Sequence, residues 1–224
     1  MYLCFLSCNF NEKQNNVVDS YADTISLEKK DTKVIQNNND NQKIITPGIL
    51  RIQTDVLEQQ DDTVYLIHEN DTLNYIYASQ ERAPVFFNST SVNIRSYHPD
   101  YYIVVLDSYD KENNFYKVWY NNKWVLIPHE KGITIYEDWE EHLKKSFIVT
   151  DNSHPLRISP DKGSTKLHGY DYSKLNFVCK KVSGEWIYVT CNADCEGCPI
   201  DEIISGWIKW KDKNQLLIKI YYSC

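Results

Sequence analysis

The sequence predicts an all-β protein: two small, partly open barrels in tandem, one short helix after the first, and a disordered tether at the N-terminus. Three observations carry that expectation. The chain repeats itself at a constant offset, its aromatic and β-branched runs are joined by two-residue turn pairs, and its residues 9–46 are polar and poor in aromatics.

The first eight residues, Met1 to Cys8, contain a short apolar run that ends in Phe5-Leu6-Ser7-Cys8. Residues 9–46 follow, rich in Asn, Asp, Lys, Gln and Ser. A segment of that composition has too little apolar surface to offset the entropy of ordering, so a tether that is dispensable for folding is expected there. Residues 47–84 hold two strand-like runs, Ile49-Leu50-Arg51-Ile52-Gln53 and Thr63-Val64-Tyr65-Leu66-Ile67-His68, as an extension of the first barrel.

Sliding the chain by 62 positions sets Asn93-Ile94-Arg95-Ser96 on Pro155-Leu156-Arg157-Ile158 and the run from Phe115 to Trp124 on the run from Phe177 to Trp186. After a jump of 12 residues, Gly132-Ile133-Thr134-Ile135 faces Gly206-Trp207-Ile208-Lys209. Asn121-Asn122 and Ser183-Gly184 are the expected hairpin turns, because such pairs accept the positive φ that a two-residue turn needs. Tyr136 to Leu143 reads as a short amphipathic helix in which Trp139 and Leu143 share a face and Glu137, Asp138, Glu140 and Glu141 face solvent. Lys211 to Leu216 reads as a shorter helical turn before a last strand, Leu217 to Tyr222. The expected domains are therefore 47–147 and 148–224.

Two resemblances add to this reading. Phe5-Leu6-Ser7-Cys8 resembles the lipobox of bacterial lipoproteins, with Cys8 as the lipidated residue, residues 1–8 as the end of a truncated signal and the true start upstream; a short disordered start is the alternative. Asn93-Ile94-Arg95-Ser96, Gly184-Glu185-Trp186-Ile187-Tyr188-Val189 and Gly206-Trp207-Ile208 are similar to the signature stretches of bacterial SH3-like (SH3b) domains, N-V-R-S, G-W-x-x-V and G-W-V. The resemblance implies a tandem of SH3-like barrels and, with the lipobox, a lipid-anchored protein of the periplasm or cell surface.

Charge and chemistry narrow the function. With 24 Lys and Arg against 31 Asp and Glu the net charge is −7, which excludes binding to nucleic acid by electrostatics. No run approaches the roughly 18 apolar residues of a spanning helix. Five of the 7 cysteines, Cys179, Cys191, Cys195, Cys198 and Cys224, fall in the second barrel and are candidates for up to two disulfides in an exported protein; a zinc or iron–sulfur site and free thiols are the alternatives. The six histidines are scattered, with no metal-binding spacing, so no metal or cofactor is expected.

No nucleophile–base pair can be drawn, and the expected function is a non-catalytic, envelope-anchored binding or scaffolding module for cell-wall peptide, glycan or protein partners. A structural subunit of an envelope complex and a thiol-dependent enzyme are the alternatives. The candidate binding residues lie in the loop after each barrel's first strand: Tyr97, Tyr101 and Tyr102 in the first copy, His168, Tyr170 and Tyr172 in the second. The junction at Ser146-Phe147-Ile148 is a candidate interdomain cleft.

Overall fold

A nine-stranded and a five-stranded sheet carry the architecture of the computed structural model, which describes residues 33–34, 43–60, 63–77, 86–87, 91–98, 102–195, 197–199 and 202–222. The fold is all-β. Both large sheets are antiparallel throughout, and the two α-helices are short, Thr54–Gln60 (α1) and Trp139–Lys144 (α2).

Along the chain, β1 (Lys33–Val34) pairs in parallel with β6 (Ser91–Val92). The nine-stranded sheet comprises β2 (Gly48–Gln53), β3 (Thr63–His68), β4 (Asp71–Tyr77), β5 (Phe86–Phe87), β7 (Ser96–His98), β8 (Ile103–Ser108), β9 (Phe115–Tyr120), β10 (Lys123–Pro128) and β11 (Thr134–Asp138). Its order is β11-β2-β8-β9-β10-β3-β4-β5, with β7 also on β8. The five-stranded sheet has β12 (Phe147–Val149), β13 (Phe177–Ser183), β14 (Trp186–Cys191), β15 (Ser205–Lys209) and β18 (Lys219–Tyr221), in the order β15-β14-β13-β12-β18. Between the last two, β16 (Lys211–Asp212) and β17 (Gln215–Leu216) form a hairpin.

The repeat survives best in its hairpin. Asn121 and Asn122 both have positive φ, 47° and 61°, and close the β9–β10 turn as two asparagines can. In the second copy a bulge between Cys179 and Lys181 slides the register, so that Ser183 pairs with Trp186 and the turn falls on Gly184-Glu185 instead of Ser183-Gly184. The copies part at the next strand. β15 lies directly on β14, whereas β3 takes the corresponding edge of β10 and β11 crosses to β2. At that crossing Gly48 lies so close to the Glu137 carbonyl and the Tyr136 ring that a Cβ would collide with both.

Several expectations change in the folded chain. The segment expected to be a tether as far as residue 46 packs at its end: Ile44 and Thr46 are buried, and the Ile44 amide donates to the Asn214 carbonyl at 2.7 Å. Lys211 to Leu216 is a hairpin rather than a helical turn, with Lys213 at φ 54°. Helix α1 follows β2 where only strands were expected. Glu137 is 1% exposed on β11, not on the solvated side of the helix, while Glu140 and Glu141 do face solvent and pair with Lys144 and Lys145, each at 2.6 Å.

Two hydrophobic clusters form the interior. The first gathers Leu50, Leu66, Val104, Val118, Tyr120 and Ile127 from the large sheet. The second joins Ile148, Phe177, Ile187 and Ile208 of the five-stranded sheet to Ile49, Val105, Trp139 and Leu143 from elements of the first half. Each such wholly buried side chain contributes roughly 1.5–3 kcal/mol, so the shared cluster binds the halves firmly. The described residues from Lys33 onward accordingly belong to one compact unit. At the expected junction Ile148 is fully buried, in the strand between β13 and β18.

Candidate binding groove

Alternation along a strand sorts the β9–β10 hairpin into two faces. Tyr116, Val118, Tyr120, Val125 and Ile127 point into the first cluster. Phe115, Lys117, Trp119, Trp124 and Leu126 form the opposite face and are half-buried or exposed. Trp119 and Trp124 stand directly opposite each other in register, with ring centroids 4.9 Å apart and edge to face. Tyr109 adds a third ring 5.5 Å from Trp124, and the Lys117 ammonium lies 5.2 Å from the Trp124 ring centre. Such aromatic pairs and ammonium contacts each stabilise by about 0.5–1.5 kcal/mol, enough to fix the side chains before any ligand arrives.

The chain leaving β8 curls over this face. Glu112 and Phe115 exchange backbone hydrogen bonds of 2.8 and 2.9 Å around Asn113 and Asn114, whose φ values of 50° and 65° make the tight turn. Between loop and hairpin lies a groove of about 500 Å³ lined by Tyr109, Asp110, Glu112, Phe115, Lys117 and Leu126. Tyr109 and Leu126 are 42% and 37% exposed, so the groove offers apolar surface to an incoming chain. Asp110 and Glu112 place two carboxylates in its lining against the one ammonium of Lys117. An apolar lining with excess negative charge suits a ligand that joins an apolar or aliphatic stem to a cationic head.

The residues expected to form a tyrosine-bearing site are not gathered into one. Tyr97 is buried in the first cluster and Tyr172 in the second, 8% and 3% exposed, because strand β7 and the short 3-10 helix at Tyr172–Lys174 turn them inward. The Tyr172 hydroxyl donates to the Leu167 carbonyl at 2.8 Å. Tyr170 is half-buried, 6.1 Å from Tyr172 ring to ring, and its hydroxyl donates to the Glu202 carboxylate. Tyr102 is exposed and hydrogen-bonded to Glu58 of α1, and His168 is exposed. Tyr101, Cys8 and Cys224 lie outside the described residues.

Cys191 and Cys198 form a disulfide that closes the loop after β14, and Cys195 is disulfide-bonded as well. Among the described residues Cys179 is the one free cysteine: its thiol is buried on β13 and pushed up to about 11 by burial. A thiol in that state is inert at neutral pH.

Two buried polar clusters lie outside the groove lining and tie elements of the fold together. Arg95 holds Asp107 through Nε at 3.0 Å and Nη2 at 2.7 and 2.9 Å, and its Nη2 also donates to the Lys43 carbonyl at 2.6 Å. Glu137 meets His142 Nδ1 at 2.9 Å and Lys145 Nζ at 3.1 Å, while His142 Nε2 lies 3.2 Å from the Tyr222 hydroxyl. Burial opposes charge on Glu137, but these partners and Arg51 outweigh it and hold the carboxyl at about 2. With Glu137 and His142 at 1% and 2% side-chain exposure, the pair is walled off from any substrate. Among the described residues no three metal-ligating side chains come together.

The groove residues lie on a strand face and the turn before it, not in the loops where the sequence places its candidate tyrosines. The available signal was Lys117, placed between Phe115 and Trp119 on the same strand face, which marks that face as the outer one. No family model, no curated protein and no solved structure matches this chain.

Proposed function

We propose that the chain is a non-catalytic binding module that takes a cationic or neutral peptide, of a cell-wall stem or a protein partner, in the groove between Tyr109 and Leu126. The observation that carries the reading is the pre-ordered Tyr109–Trp124–Trp119 aromatic face beside an open groove that holds two carboxylates. Flat aromatic side chains give contact area at low entropic cost, which is what a recognition surface needs.

An SH3-like barrel for the second half belongs to the same proposal, supported by four strands that follow in order and a fifth, β18, that returns to β12. Attachment to the cell envelope through Cys8 is proposed with it. The Cys191–Cys198 disulfide supports an oxidising location.

The test is co-sedimentation with isolated cell-wall sacculi and with their amine-acetylated counterpart. Tyr109→Ala and Leu126→Asp should cut the bound fraction severalfold, with a fall in thermal midpoint for Tyr109→Ala no larger than the loss of one ring contact of about 0.5–1.5 kcal/mol, and acetylation should cut binding likewise in the unaltered protein. Binding that ignores both the substitutions and the acetylation would overturn the assignment.

A further inference from the structure

We propose that the second half carries a carboxylate-binding groove of its own, built on Arg157, Lys162 and Trp186. Its logic is visible in the first half. There Arg95 forks onto Asp107, both side chains are buried, and the cavity they line holds only about 120 Å³. The first half thus fills its arginine with a carboxylate of its own.

At the 62-residue offset Arg95 answers to Arg157, Trp124 to Trp186, and Asp107 to Gly169, which has no side chain. The main chain beside the two arginines is strand-paired in both halves but in a different register: Ser96 pairs with Val105 on β8, whereas Arg157 bridges Lys166 and Trp207. What differs is the partner. Arg157 Nη1 donates to the Ser164 carbonyl at 2.6 Å, and among the described residues the guanidinium makes no ion pair.

Arg157 lines an open groove of about 310 Å³ together with His154, Lys162, Trp186, Lys209 and Asp212. The one carboxylate among these is already held, since Lys209 reaches Asp212 at 2.6 Å and Glu185 at 3.0 Å. His154 is turned to Asp151 at 3.3 Å. Among the described residues Arg157 and Lys162 make no salt bridge, although Lys162 lies near enough to Asp212 to help hold its carboxyl down, and both cations stand beside an indole wall on a chain whose net charge is −7. A guanidinium with a free edge takes a carboxylate in a planar two-point contact, and an adjacent indole adds apolar area for the group that bears it. The occupant is a peptide carboxylate, from a chain end or an acidic side chain. This groove is separate from that at Tyr109 and does not depend on it.

The experiment follows the Trp186 indole N–H by NMR, assigned with Trp186→Phe, during titration of the full chain. The probes are acetyl-Ala-Ala with a free carboxylate, acetyl-Asp-amide, acetyl-Ala-Ala-amide and inorganic phosphate. A saturable shift with either of the first two supports the proposal and tells chain end from side chain. Arg157→Gln should weaken that binding by about tenfold, Arg157→Lys by less, and Lys162→Ala by about threefold, with Tyr109→Ala without effect. Because Arg157 also holds the Ser164 loop, the exposed Lys162→Ala keeps the test valid if Arg157→Gln loses its fold. No shift with either carboxylate, an equal response to the amide, or an equal response to phosphate overturns the proposal.

Discussion

Arg95 and Asp107 are joined by a forked ion pair in which the two side chains are only 5% and 8% exposed. Arg95 also stacks 5.1 Å from the Trp139 ring centre, so one guanidinium ties β8 to helix α2 and to the chain at Lys43. Deleting one member of such a pair strands the other charge in the interior. Asp107→Ala should therefore lower stability by about 3–5 kcal/mol in urea unfolding, and the double replacement Arg95→Met with Asp107→Leu should recover much of that loss. A single substitution that costs under about 1 kcal/mol would mean that water reaches the site.

Ile44 anchors the segment that enters the fold. It is buried in the second cluster, and next to it the Thr46 carbonyl accepts the Trp139 indole N–H at 2.8 Å. Ile44→Ala should cost at least about 2 kcal/mol, read as a shift of the denaturant midpoint at constant slope. No shift would restore residues 43–46 to the status of a tether.

Glu137 makes stability depend on acid. Its carboxyl is held at about 2 in the fold against an ordinary 4.5, so the unfolded chain binds the proton more readily. The stabilisation is fully present above pH 4.5 and drains away as pH falls from 4.5 toward 2. Thermal unfolding across that window should show Glu137→Gln with a shallower pH slope than the unaltered protein, and a lower midpoint at neutral pH. Parallel slopes would sink the assignment.

The cysteines should divide by reactivity. Closing the eight-residue loop between Cys191 and Cys198 is worth about 2.5 kcal/mol by chain entropy, so Cys191→Ser should destabilise by roughly that amount. Cys179 should resist iodoacetamide in the native protein near pH 8 and label at once in denaturant. Native labelling at Cys179, read by peptide mass mapping, would contradict its burial.

Much of the fold is legible in the sequence wherever turn chemistry and alternation agree. Asn121-Asn122 and the alternating runs on either side of it specify β9 and β10 without help from the rest of the chain. The second hairpin turns one residue later than its sequence suggests, because nothing in Cys179-Lys180-Lys181 announces a bulge. Helix α1 has seven residues wedged between two strands, too few for a helical period to stand out. Lys211 to Leu216 carries no turn signal, because Lys213 adopts the left-handed conformation more typical of Gly or Asn. The site was harder still. Tyr97 and Tyr172 are inward because of how β7 and the 3-10 helix meet the cores, a tertiary fact, while the outward rings at Trp119 and Trp124 needed only the strand period.

Strand β12 has a consequence for biosynthesis. Ile148 pairs with Ile220, 72 positions further on, so the ribosome must make nearly the whole second half before β12 gains that edge partner. At ordinary synthesis rates the wait is about 4–14 s. During it the apolar faces of β12 and of Trp139 and Leu143 have no complete core to join. Cys191 and Cys198 are made within that interval and lie seven residues apart, so oxidation can fasten their loop before the last strand exists. An export route that delivers the chain to an oxidant during translocation would thus favour correct closure, and a slow or stalled C-terminus would leave the newborn chain sticky rather than half functional.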